Sequence, residues 1–173
     1  MNKPDLSAFR ITTMTTREDI EVVQDMLRRY VQWLFDSFPD EMQDLESYFS
    51  PDRQQQVLDE VPSKYVSPEG LALIARIAGH PAGCVLACPL EPGIAEMKRL
   101  FVLPSARGRG VGRALVEMIQ EEMAARGYTT VRLDTAVFLT DAISLYRRKG
   151  FVEIPPYFSV PSGAEATTLF MEW

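Results

Sequence analysis

Arg107-Gly108-Arg109-Gly110-Val111-Gly112 separates an apolar, strand-like run, Ala95 to Leu103 (AEMKRLFVL), from a stripe of apolar residues at helical spacing: Val111, Ala114, Leu115, Met118, Ile119 and Met123. A chain that passes from strand to helix through such a turn leaves the first backbone N–H groups of the helix without intrahelical partners, at the positive end of the helix dipole. Glycines carry no Cβ to hold an anion away from those groups, and the arginines add charge. The chemistry is that of a phosphate cradle. It is not the dinucleotide fingerprint, because the sixth position counted from Gly108 is Arg113. Nor is it a Walker loop, since no Gly-Lys-Ser/Thr follows. A tight turn needing positive φ would ask for the same glycines, so the surroundings decide.

Upstream, Gly70 to Ala78 and Ala82 to Cys88 are apolar runs flanking Gly79-His80-Pro81, which predicts a β-hairpin, and Glu91-Pro92-Gly93 turns the chain into the strand before the glycines. Further back, Phe9 to Met14 reads as a first strand. Thr15 with Glu18 forms a capping box for a helix carrying Ile20, Val23, Leu27, Val31 and Leu34. A short acidic helix spans about Glu41 to Tyr48, and residues 51–69, with Pro51, Pro62 and Pro68, read as a loop holding at most a helical turn. Downstream, Gly127 stops the long helix, Thr129 to Val137 is a β-branched strand, and Leu139 to Lys149 is a helix closed by Gly150. Phe151 to Ile154 and Thr167 to Glu172 are the last strands. The order β-α-α-β-β-β-α-β-α-β-β predicts one α/β domain over residues 1–173 with a mixed sheet.

The 173 residues carry a net charge of −6, which argues against nucleic acid as partner. The charge is uneven: Glu18 to Glu60 holds 12 acidic and three basic residues, whereas Ala95 to Arg113 holds five basic residues and only Glu96. No apolar run reaches the roughly 18–20 residues of a membrane helix, and the polar start, Met1 to Arg10, is not a secretory leader. Cys84 and Cys88 sit about 13 Å apart on one strand face, beyond disulfide reach. His80 is the only histidine, so a zinc site lacks ligands. The expectation is a cytoplasmic, metal-free protein.

Pro104-x-x-Arg107-Gly108-x-Gly110-x-Gly112 resembles the acyl-CoA motif of the GNAT superfamily of N-acetyltransferases, Arg/Gln-x-x-Gly-x-Gly/Ala. Ala142-Ile-Ser-Leu145-Tyr146-Arg-Arg-Lys-Gly150-Phe151 is similar to that family's second signature, Ala-x-x-Leu-Tyr-x-x-x-Gly-Phe. The Pro155-Pro156-Tyr157 turn and the Phe170-Met-Glu-Trp173 ending resemble a bacterial group of small-molecule acetyltransferases within it. The resemblance implies a mostly antiparallel sheet of six to seven strands, splayed in the middle and flanked by about four helices. It implies acetyl-CoA as co-substrate, with Arg107, Gly108, Arg109, Gly110, Val111 and Gly112 on the pyrophosphate. Leu100, Phe101 and Val102 would offer backbone groups to the pantetheine arm, and a strand from Glu96 to Pro104, about 26 Å long, suits an extended arm.

In the same scheme Tyr146 contacts the cofactor and protonates the departing thiolate, its ordinary pKa near 10 standing just above that of a thiol at about 8.5. Glu96, 11 residues before Arg107, is the expected general base, since an ammonium must lose a proton before it attacks; an ordinary strand charge paired with Lys98 is the plainer account of it. Leu139 stands where many relatives carry an Asn that contacts the cofactor. The first two helices and the following loop would wall the acceptor site, and Tyr30, Trp33, Phe35, Phe38, Tyr48 and Phe49 lie there, either as core or as walls for an amine. The acceptor class stays open: a polyamine, an amino acid, an antibiotic, or an N-terminus or lysine of a protein. So does the choice between monomer and homodimer. A non-catalytic acyl-CoA-binding regulatory module on the same fold is the competing function.

Overall fold

The computed structural model describes residues 9–173; the polar segment 1–8 lies outside them. Strands β1 (Phe9–Thr13), β2 (Leu71–Ile77), β3 (His80–Glu91), β4 (Ile94–Val102), β5 (Thr130–Ala136), β6 (Val152–Ile154) and β7 (Thr168–Glu172) are joined by helices α1 (Arg17–Ser37), α2 (Met42–Tyr48), α3 (Pro51–Lys64), α4 (Val111–Ala125) and α5 (Thr140–Arg148). The seven strands form one sheet in the order β1-β2-β3-β4-β5-β7-β6. Every neighbouring pair is antiparallel except β4 and β5.

That parallel pair opens almost at once. It is hydrogen-bonded only from Ile94↔Thr130 to Glu96↔Arg132, and beyond Glu96 the edge of β4 facing β5 has no strand partner among the described residues. A bulge bends β4 at that place: Cys84 opposes Phe101 while Leu86 opposes Lys98, so β4 carries one residue more than β3. The extra residue is accommodated by Arg99, whose φ of 56° is unusual for a side chain of its size.

Both sheet faces are covered. On one, Val111, Leu115, Ile119 and Met123 of α4 pack on Leu71, Leu73, Val85, Met97 and Leu133. On the other, Val23, Met26 and Leu27 of α1 with Leu58 and Val61 of α3 pack on Ala72, Ile74, Cys84, Leu86 and Phe101. Strand β2 thus buries alternate residues into two cores, which explains its unbroken apolar run. Each fully buried aliphatic side chain contributes about 1.5–3 kcal/mol of transfer free energy, so burial of one stripe holds α4 on the sheet.

Three expectations need correction. Residues 51–64 are a full helix, not a loop, which raises the helix count to five. Pro51 sits in the first turn, where no N–H is needed. Pro62 releases the carbonyl of Leu58 four residues back, and the side-chain amide of Gln24 donates to that oxygen at 2.9 Å. The capping box of α1 is Thr16 with Asp19 rather than Thr15 with Glu18. The Asp19 N–H donates to the Thr16 hydroxyl at 3.1 Å, and the Asp19 carboxylate accepts from Arg76 of β2 at 2.8 Å, a tie that Glu18 does not make. Strand β3 also runs past Cys88 to Glu91, with Pro89 at a ladder irregularity where a missing donor is tolerated.

Candidate active site

Where β4 and β5 part, a cleft of about 710 Å³ opens between them and the N-terminal ends of α4 and α5. That is well within the range of ligand sites. At one end lies the glycine turn. Gly108 and Gly110 adopt φ of 76° and 80°, and a Cβ at either would meet nothing within 4 Å, so the space beside these amides is open. The N-terminus of α4 has no side-chain cap and no acidic residue in its first turn, in contrast to the fully capped α1. Uncapped amides, left-handed glycines and a helix dipole on an open cleft suit a diphosphate.

The cleft gathers most of the expected cofactor residues: Leu100, Phe101, Val102, Arg107, Gly108, Gly110, Val111, Gly112 and Tyr146 all line it. Arg109 is exposed and does not. Arg107 crosses the cleft: its guanidinium lies 4.2 Å from the ring centre of Trp33, and its Nε donates to the Val102 carbonyl at 3.1 Å. Leu139 lines the cleft together with Thr140 and Asp141, and it caps α5 without a side-chain hydrogen bond. Tyr146 is buried, with its ring 5.7 Å from that of Phe151. Burial, with smaller effects from Tyr30 and Asp134, pushes its phenol above the ordinary range, so the group is neutral and can donate a hydrogen bond.

A second cavity, about 80 Å³, adjoins the first and shares Tyr30, Lys98, Arg99, Asp134, Thr135, Phe138 and Leu139 with it. Its remaining wall comes from α1, α2 and the 164–168 segment, among them Leu34, Asp44, Leu45, Tyr48 and Phe49. Of the aromatics expected at an acceptor site, Tyr30, Trp33, Phe38, Tyr48 and Phe49 line one cavity or the other, and Phe35 lines neither.

Glu96, Lys98 and Asp134 meet on the sheet face opposite α4. Lys98 Nζ lies 3.1 Å from Glu96 and 3.4 Å from Asp134. Burial alone would lower the Lys98 pKa, but the two carboxylates outweigh it and hold the ammonium above its ordinary value. Glu96 is buried, accepts a hydrogen bond from Tyr157 at 2.9 Å and lines neither cavity. The carboxylate at the junction of the two cavities is that of Asp134, which also accepts the Tyr48 hydroxyl. Sequence reading singled out neither Asp134 nor Arg99. Alternation along a strand places Asp134 on one face with Arg132, but only the β4–β5 register reveals that Glu96 and Lys98 share that face.

A parallel strand pair thus opens onto a helix that starts at a left-handed glycine, with a buried tyrosine lining the same cleft, a shape suited to an extended ligand that ends in a diphosphate. A family model described as Acetyltransferase (GNAT) family matches residues 27–151, and the chain belongs to that family. An IAA acetyltransferase of Azospirillum brasilense is 41% identical over 106 residues, covering 61% of this chain and 68% of its own length. An N-acetyltransferase, YjgM, of Escherichia coli is 32% identical over 100 residues, 56% of this chain and 60% of its own. Among solved structures, a GNAT-family acetyltransferase from Staphylococcus aureus superposes with a TM-score of 0.72 at 17% identity, over 95% of this chain and 98% of that one. The PaiA N-acetyltransferase of Thermoplasma acidophilum, solved in complex with coenzyme A, gives 0.71 at 18% identity over 95% and 98%. These last two likenesses bear on the fold, and the expected mostly antiparallel sheet of six to seven strands is borne out, with seven strands and an opening between β4 and β5. No helix among the described residues is long and apolar enough to cross a membrane.

Proposed function

We propose that the protein is an N-acetyltransferase that moves an acetyl group from acetyl-CoA to a primary amine by direct attack in a ternary complex. The observation that carries this reading is one continuous cleft, running from the uncapped turn at Gly108 and Gly110, along the open edge of β4, to Tyr146 and Asp134. The glycine turn, with Arg107, holds the diphosphate, and Leu100 to Val102 flank the extended arm. Bound acetyl-CoA supplies a thioester whose acyl carbon accepts the amine nitrogen as the C–S bond breaks. Tyr146 gives its hydroxyl proton to the departing sulfur. The amine proton passes to the Glu96–Lys98–Asp134 set, with Asp134 at the reacting nitrogen and Glu96 behind Lys98. Neither cysteine lines either of these two cavities, which supports a route without an acyl-enzyme. A cytoplasmic enzyme acting on a small-molecule or peptide amine completes the reading.

The test separates catalysis from mere binding. Tyr146→Phe lowers thiol release by about 10²-fold, while calorimetry finds acetyl-CoA binding within a few-fold of wild type. Tight cofactor binding without thiol release on a panel of amines makes the protein a regulatory acyl-CoA-binding module instead.

A further inference from the structure

We propose that the acceptor is a small amino acid, its carboxylate held by Arg99 and its amine presented at Asp134; this rests on the acyl-transfer reading above and names the substrate class of that site. The first observation is size. A buried water occupies roughly 10–15 Å³ of such space, so the cavity of about 80 Å³ suits a molecule of about five to eight non-hydrogen atoms. Glycine, alanine, serine and threonine span that range.

The second observation is an uncompensated cation. Two neighbouring half-buried cations are matched: Lys98 by Glu96 and Asp134, and Arg132 by Glu172 and Glu91. Arg99 has no carboxylate partner among the described residues. Its guanidinium lies 4.7 Å from the ring centre of Phe49, a contact that places the group without neutralising it. The bulge turns Arg99 to the junction, where it lines both cavities. A planar guanidinium beside an aromatic face, with N–H donors that no oxygen among the described residues accepts from, matches a carboxylate.

The third observation is balance. Asp134 is fixed by Tyr48 and Lys98 and stands where the cavities meet, so an amine beside it also faces the cleft. Of the 12 acidic residues between Glu18 and Glu60, only Asp44 lines the small cavity. The acidic surplus that would draw a polyamine therefore faces elsewhere. The cavity itself holds Asp44 and Asp134 against Lys98 and Arg99, a pattern that a zwitterion complements and a polycation does not.

The experiment measures equilibrium binding of glycine, L-alanine and L-serine, each against its primary carboxamide, to the full-length protein saturated with coenzyme A. The wild type is expected to favour the carboxylate by roughly ten- to a hundredfold, the range carried by hydrogen bonds to a charged group. Arg99→Gln brings that ratio to within about threefold of one, and Arg99→Lys leaves an intermediate ratio. A wild-type ratio near one, binding of neither member of any pair, or an unchanged ratio in Arg99→Gln overturns the proposal. Thiol release from acetyl-CoA is followed with the same pairs. Carboxylate-selective binding without release overturns the acyl-transfer reading alone and leaves the amino-acid site standing.

Discussion

Tyr48 donates its hydroxyl hydrogen to the carboxylate of Asp134, 86 residues further along the chain, and so ties the short helix α2 to the open edge of β5. Burial first, and the Asp134 charge second, push the Tyr48 phenol above its ordinary range, so it remains a donor throughout the working pH range. The same carboxylate lies 3.4 Å from Lys98. Asp134 is therefore oriented from two sides while it faces the reacting space.

Asp134→Asn keeps the shape of that arrangement but removes the proton acceptor, and kcat should fall by about 10²-fold. Tyr48→Phe removes only the orienting bond, and a loss of roughly tenfold is expected, at unchanged acetyl-CoA affinity. Glu96→Gln leaves Asp134 in place and should fall between the two. Steady-state thiol release with all three variants ranks the carboxylates. If Glu96→Gln is the most damaged, the base lies on β4, and Asp134 only positions Lys98.

The glycine turn makes a sharper comparison. Gly110 is left-handed and Gly112 is not, yet both lie in the motif. A Cβ at Gly112 would make ordinary contact with Leu145 and Val102, at 3.5 and 3.6 Å. Gly110→Ala is expected to lower stability by about 1 kcal/mol through backbone strain and to weaken coenzyme A binding further by crowding the amides. Gly112→Ala leaves stability nearly unchanged. Urea unfolding and calorimetry on the two variants check both halves of the contrast.

How much was legible in the sequence follows from how local each signal is. The strand–glycine–helix junction at residues 95–123 is contiguous, so its cleft-lining role and the α4 stripe could be read directly. Helix α3 could not, because the device that tolerates Pro62 is the Gln24 side chain, 34 residues away from the Leu58 carbonyl it satisfies. The cap of α1 shifted by one residue for a similar reason: Arg76, on a strand far down the chain, selects Asp19 over Glu18. Arg99 is invisible as a site residue until the β3–β4 register shows the bulge. Asp134 needs the β4–β5 register. Both depend on pairing between strands, and no spacing within one strand encodes it.

That Asp19–Arg76 tie has a pH signature. Burial by itself raises the Asp19 carboxyl, but the Thr15 amide, the Arg76 guanidinium, and the Thr16 amide and hydroxyl together outweigh it and hold the pKa at about 2, against an ordinary 3.8. A carboxyl depressed by folding stabilises above its unfolded pKa and loses that contribution as the pH falls through the folded one. With the side chain 14% exposed, about 1–2 kcal/mol is at stake after screening. Asp19→Asn should therefore cost that amount at pH 6, and the gap to wild type should close between about pH 4 and pH 2. Chemical denaturation at a series of pH values reads it, and a gap that stays constant in acid means the tie is structural but not ionic.

The two cysteines govern whether thiol release can be followed at all with a thiol-reactive dye. Cys84 and Cys88 are free and buried among the residues under α1 and α3. Burial pushes the Cys84 thiol up to about 12, and burial also raises Cys88. Only the thiolate reacts, so both groups are screened twice, by access and by protonation. The native protein should consume no more than about 0.1 equivalent of an aromatic disulfide reagent within minutes at pH 8, and two equivalents once unfolded in guanidinium, since the chain contains only these two cysteines. Rapid reaction of one thiol in the native state would mean that the core beneath α1 opens on that timescale. Because Tyr30 and Trp33 pack against that core and also line the cleft, acceptor-induced slowing of the reaction would then report closure of the α1 wall.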